Sequence, residues 1–116
     1  MESKEIEITE EEQGLFYLIR IKGAFTAKNV LQIRTRIEYA MNLGHNKLAM
    51  DLSGINFMDS TGIGLIVNLF KNIHKIKGQL VIFNPSEPVQ KVFIVSSMAK
   101  CLDIRYNVET LDNLFD

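Results

Sequence analysis

Asp59-Ser60-Thr61-Gly62-Ile63-Gly64 is the stretch of this chain best equipped for chemistry, because it follows a hydrophobic strand-like run directly and opens an amphipathic helix. The first turn of a helix leaves backbone N–H groups without partners and carries the positive end of the helix dipole. A hydroxyl placed there can cap the helix or carry a phosphate, so Ser60 admits two charge states at one position. Asp59 can satisfy the same N–H groups, and would add negative charge beside a phosphate.

Catalysis by Ser60 needs a base, and the chain has two histidines, His45 and His74. His45 precedes the strand that leads to the motif, which puts it about 15 to 20 Å away at the strand rise of roughly 3.3 Å per residue. His74 lies far along the helix that Ser60 opens, about 21 Å away at 1.5 Å per residue. Neither reaches the hydroxyl, and Met58 stands where the nucleophile elbow G-x-S-x-G needs its first glycine. Gly62-x-Gly64 after a strand suggests dinucleotide binding, but Val67 replaces the third fingerprint glycine and Asn84 stands where an acid should hold the ribose. No G-x-x-x-x-G-K-[ST] loop occurs. Nucleotide binding is therefore the poorer match, and neither a catalytic residue nor a cofactor is expected.

Each helical glycine costs about 1 kcal/mol relative to alanine. For Gly62 two explanations stand side by side: close packing of the helix start on a neighbouring strand, or approach of another protein's backbone. For Gly64, deeper in the helix, packing is the expectation.

The elements that position this motif follow from periodicity. Glu5 to Thr9 and Leu15 to Ile21 alternate with period two on either side of the polar Glu10 to Gly14, which predicts a hairpin ended by Gly23. Thr26 is the expected N-cap of a first helix with Val30, Ile33, Ile37, Ala40 and Met41 on its inner stripe and Gly44 as its stop. Lys47 to Leu52 is a short strand. The second helix runs from the motif with Ile63, Ile66, Phe70, Ile73 and Lys77 inward, up to Gly78. Gln79 to Phe83 is a further strand, Ser86 caps a third helix bearing Val89, Val92 and Phe93, and a last strand lies near Ile104 to Val108. Leu111, Leu114 and Phe115 suggest a short terminal helix. The whole predicts a single α/β domain over residues 1–116, with a mixed sheet of four to five strands, an N-terminal hairpin and helices packed on it.

Composition bounds the partners. The 116 residues are 47% hydrophobic, enough for one core, and carry a net charge of −1 with both signs dispersed, which offers no nucleic-acid groove. One cysteine, Cys101, excludes an internal disulfide and, with so few histidines, a zinc site. The N-terminus lacks the basic-then-apolar order of a secretion signal and no apolar run reaches membrane-spanning length, so a cytoplasmic protein without direct membrane insertion is expected. Cys101, Met41, Met50, Met58 and Met98 are read as core or near-core filler, and His45 and His74 as solvated.

Asn56-Phe57-Met58-Asp59-Ser60-Thr61-Gly62-Ile63-Gly64, preceded by Met50-Asp51-Leu52-Ser53, closely resembles the signature of the STAS-domain anti-sigma factor antagonists. The resemblance extends from the N-terminal hairpin through Phe93. It implies a STAS-like fold, phosphorylation of Ser60 rather than Thr61, and no catalysis by the chain itself. It also implies an anti-sigma factor serine kinase as partner, bound by the unphosphorylated form so that a sigma factor is released. A metal-dependent serine phosphatase would restore that form, and the free antagonist would be a monomer. The expected partner surface is Asp59, Thr61 and Gly62 with the loop Gly23-Ala24-Phe25-Thr26. Many antagonists carry an acid in that loop, which is absent here. Phe25 could meet a partner or turn into the core, with the core favoured. The missing acid leaves room for a different partner-switch regulator or the STAS subunit of a lipid-transport complex.

Overall fold

Apolar runs such as Leu80-Val81-Ile82-Phe83 put large side chains on both faces of a strand, which is stable only inside a sheet covered on both sides. The computed structural model describes residues 6–111 and builds that sheet from five strands. They are β1 (Glu7–Gln13), β2 (Phe16–Phe25), β3 (Lys47–Met58), β4 (Gln79–Phe83) and β5 (Ile104–Arg105), in the order β1-β2-β3-β4-β5. β1 and β2 pair antiparallel, and every later neighbour is parallel. The helices α1 (Val30–Asn42), α2 (Ser60–Lys75) and α3 (Glu87–Val95) make the crossovers. Because each crossover steps the same way across the sheet, right-handed connections place all three on one face. Ile19, Ile21, Leu48, Met50, Leu52, Leu80 and Ile82 meet Ile33, Ile37, Ile63, Ile66, Ile73, Val89 and Phe93 there.

The opposite face buries Phe16, Leu18, Ala49, Val81 and Phe83 beneath Val108 and Leu111 of the C-terminal segment. Asn84 fixes that segment. Its side-chain amide donates to the Val108 carbonyl and accepts from the Val108 N–H, both at 2.8 Å, while its own N–H donates to the Arg105 carbonyl at 2.8 Å. Asn84 does this from a left-handed backbone with φ of 52°, a conformation asparagine tolerates better than most residues.

Several elements differ from their sequence expectations, each for a local reason. β1 extends through Glu12 to Gln13, because the acids of an edge strand remain solvated while their backbone pairs, and the turn is only Gly14-Leu15. Glu5 lies outside the described residues. β2 passes through Gly23, whose φ of 112° absorbs an irregularity, and continues to Phe25. β3 runs on to Met58 instead of ending at Leu52. It carries extra residues opposite Arg20/Lys22 and Gly23/Ala24, and it pairs with β4 only as far as Asp51. Ser86 closes part of the open edge beyond: its N–H donates to the Leu52 carbonyl at 3.2 Å and its hydroxyl to the Ile55 carbonyl at 2.6 Å. Ser86 thus stands at the N-cap position of α3 without capping through its side chain.

Thr26 is not the cap of α1. Its carbonyl accepts the Asn29 N–H and its hydroxyl the Lys28 N–H, which makes a turn, and the helix starts at Val30. Lys77 is off the inner stripe of α2, since the helix has ended and Lys77 is exposed in the left-handed region with φ of 62°. Gly78 is required for another reason, as a Cβ there would come within 2.3 Å of the Asn46 carbonyl oxygen. Cys101 and Met98 are exposed on a short 3-10 helix (Ser97–Cys101), because the buried residue of that turn is Ala99. Met50 and Met58 are core residues and Met41 is half-buried. The last strand is two residues long, and the Leu114 and Phe115 of the expected terminal helix lie outside the described residues.

Candidate functional site at the start of the second helix

The parallel strands β2 and β3 end side by side at Phe25 and Met58, so the loop entering α1 and the turn entering α2 emerge at the same edge of the sheet. Asp59 joins them. In extended conformation (φ −111°, ψ −175°) it is the N-cap of α2, and its Oδ1 accepts the N–H groups of Thr61 at 3.0 Å and Gly62 at 3.1 Å. Its Oδ2 accepts the Ala27 N–H from the other loop at 3.2 Å, and its own N–H donates to the Phe25 carbonyl at 3.3 Å. One carboxylate thereby satisfies orphan donors of two segments and spares the helix start any other anion.

Ser60 is the first residue of α2, and it is exposed. Its hydroxyl has no hydrogen-bond partner among the described residues, since capping falls to Asp59. Thr61 beside it is exposed as well. Position, dipole and free oxygen coincide here: a group added to Ser60 enters solvent and gains the favourable field of the helix start.

Other expected site residues have structural duties. Phe25 is fully buried, so its side chain is unavailable to a partner, and it contributes its backbone carbonyl to the corner. Gly62 is buried, and a Cβ on it would lie 2.7 Å from the Phe25 oxygen and 3.0 Å from its ring; of its two readings, packing is realised. Gly64 departs from the packing expectation, since a Cβ there meets nothing within 4 Å. Gly23, Ala24 and Thr26 are half-buried. The Ala24 carbonyl accepts the Asn29 side-chain amide at 2.6 Å.

Four residues of the corner were not singled out from sequence: Ala27, Asn29, Leu31 and Phe57. Ala27 acts through its backbone and leaves no signal in its side chain. Leu31 had one, being an apolar residue off the inner stripe of α1, and it is 67% exposed. Phe57 lies within the motif. Strand alternation pairs it with Ile55, but the irregularity between Ile55 and Phe57 re-aims it to 56% exposure.

The histidines sit at the far end of the molecule. His45 stacks on Tyr17 with ring centroids 4.1 Å apart, which makes it half-buried where a solvated turn was expected, and the exposed His74 tilts over Phe70 at 4.3 Å. Among the described residues no group of three His, Cys, Asp or Glu could hold a metal ion, and no helix is long and apolar enough to cross a membrane. A groove of about 350 Å³ lies between α1 and α2 over Ile37, Met41, Leu65 and Leu69.

Residues 7–111 match the model of the STAS domain. The chain belongs to the STAS domain family. Among curated relatives, this STAS chain is 33% identical to an anti-sigma F factor antagonist of Lysinibacillus sphaericus, over 70% of each chain. It is 34% identical to an anti-sigma-B factor antagonist of Listeria monocytogenes, over 78% of this chain and 79% of the relative. Its fold superimposes on the anti-sigma factor antagonist SpoIIAA in its unphosphorylated form with a TM-score of 0.74 at 27% identity, covering 89% of this chain and 90% of the other. The phosphorylated form of the Bacillus cell fate determinant SpoIIAA gives 0.69 at 26% identity, over 89% and 93%.

Proposed function

We propose that this STAS chain is an anti-sigma factor antagonist switched by phosphorylation of Ser60. The observation that carries the reading is the exposed hydroxyl at the first residue of α2, released from capping by Asp59. The similarity to antagonists, one of which was solved with and without phosphate, supports it. The unphosphorylated chain binds an anti-sigma factor serine kinase in the cytoplasm and frees the sigma factor. Phosphate adds about −1.5 to −2 charges at neutral pH, which a solvated helix start accommodates and a docked interface does not. The modified chain is released as a folded monomer, and a metal-dependent serine phosphatase returns it. The chain acts as substrate and binding switch, without a reaction of its own.

Incubation with the kinase and ATP, followed by mass spectrometry, should place phosphate on Ser60. Ser60→Ala should fold, remain unmodified and hold the kinase persistently, and Ser60→Asp should bind more weakly. Phosphate on Thr61 or elsewhere overturns the assignment. The absent acid of the Gly23 to Thr26 loop leaves room for two rivals, a partner switch outside sigma-factor control and the STAS subunit of a lipid-transport complex. Stable co-purification with a transporter ATPase, and no effect on sigma-factor release, would identify the second.

A further inference from the structure

We infer that the outward face of α1 receives a second copy of this chain, as an antiparallel two-fold pair of α1 helices that makes no use of Ser60. Leu31, Thr35, Tyr39 and Leu43 stand four residues apart and so form one continuous ridge on the helix surface. Helical geometry reaches the end of it, since the Leu43 N–H donates to the Tyr39 carbonyl at 3.1 Å. The buried stripe of α1 is Ile33, Ile37 and Ala40, on the other side of the helix. Leu31, Tyr39 and Leu43 are 67%, 62% and 60% exposed, Thr35 is exposed between them, and the ridge carries no charge.

The charges beside the ridge identify the occupant. Arg34 and Glu38 are exposed on the side of α1 that borders α2, and among the described residues neither side chain has an ion-pair or hydrogen-bond partner. A two-fold axis at the level of position 36, midway between them, sets the same flank of each helix against the other, so Arg34 of each copy faces Glu38 of its mate. A partner of uniform charge would leave one of the two facing its like. The same axis interdigitates the ridges. Leu31 lies five residues to one side of position 36, and Tyr39 and Leu43 of the second copy lie three and seven residues to that side, so Leu31 enters between them. Contact between the i±4 ridges of two helices is the commonest packing class, and an identical helix supplies the matching ridge. Arg36, nearest the axis on the other flank, does not meet its counterpart as a bare cation, because it donates to the Glu10 carboxylate. Ile94 and Val95 of α3 are more exposed, at 81% and 83%, but there Lys91 and Glu87 pair within the chain. α1 has 13 residues and is about 20 Å long. One such helix per copy falls short of the about 1,200 Å² of a stable interface, so the pair is reversible and the dilute chain is monomeric.

The test uses the full unphosphorylated chain in sedimentation equilibrium over a concentration series, with Tm measured to show that each variant is folded. The wild-type chain should dimerise reversibly with Kd below about 1 mM. Tyr39→Asp and Leu31→Asp should each weaken pairing roughly tenfold or more. Arg34→Glu and Glu38→Arg should each weaken it roughly threefold to tenfold, and the double variant, which restores opposite charges across the axis, should recover it. Ile94→Asp, on α3, should pair as wild type does. A wild-type chain that is monomeric at about 1 mM overturns the proposal. So does a dimer that Ile94→Asp breaks and Tyr39→Asp leaves intact. If the double variant stays as weak as the single ones, the antiparallel register is wrong and the proposal falls with it. Leu31→Asp decides the matter should Tyr39→Asp not fold.

Discussion

Two helices start at the same edge of the sheet, and they start differently. At α1 the N-cap position is Asn29, with near-helical φ of −108° and ψ of −2°, and no side chain caps the helix. Its entry is organised by backbone, through the Thr26 turn, with the Asn29 amide turned away to the Ala24 carbonyl. At α2 one carboxylate accepts two N–H groups of the helix and a third from the α1 loop. The difference shows how a hydroxyl becomes available: the residue before Ser60 takes the capping role, so the hydroxyl can change chemically without the helix losing its start. Where the helix is least dependent on serine, serine is most accessible.

The comparison can be broken first at Gly62. Gly62→Ala forces a methyl against the Phe25 carbonyl and should destabilise the fold by about 1–3 kcal/mol in urea unfolding. A neutral result would mean that α2 is not seated on β2 as described. Asp59→Ala removes the shared cap and should cost about 1–2 kcal/mol, with faster hydrogen exchange at Ala27 as well as at Thr61 and Gly62. Exchange confined to α2 would show that the carboxylate does not join the two starts.

Gly64→Ala, next in size, should stabilise by up to about 1 kcal/mol, since the space is open and alanine favours helix. Ser60→Ala should change stability by less than about 0.5 kcal/mol, as exposed substitutions without partners do. A larger loss would return Ser60 to a capping role.

Tyr17 sharpens the contrast from the opposite end of β2. Its pKa is pushed up from 10.0 to about 12, first by the hydrogen bond it donates to Glu10 at 2.6 Å and then by burial. The folded pKa is the higher one, so this stabilisation is complete below pH 10 and is lost as pH rises from there through about 12. Phenolate absorbance should show a late phase that Tyr17→Phe removes. Loosening above pH 10 should begin near Tyr17, remote from Ser60.

Periodicity made the architecture legible, because the inner stripes of α1 and α2 and the apolar run of β4 depend on residue type alone. The Asp59 to Gly64 motif was legible for the same reason: caps and hydroxyls declare themselves. What stayed hidden depends on register. Nothing in Leu52 to Met58 announces a strand with extra residues, because irregular pairing is set by the partner strand; the outward turn of Phe57 was lost with it. Backbone contributions such as the Ala27 N–H and the Phe25 carbonyl are silent in sequence. Gly64 misled because a glycine without neighbours looks, in a string of letters, like one that needs them.

Beyond Asp51, β3 leaves β4 and, among the described residues, continues with β2 as its strand partner, so the turn bearing Ser60 lies well past the end of β4. A hydroxyl exposed on the first residue of a helix can be reached by a catalytic cleft without unwinding that helix. On the proposed reading of Ser60, the enzymes that add and remove the phosphate would work on the native molecule, and the interval between the two states would be set by those enzymes and not by the refolding of their target.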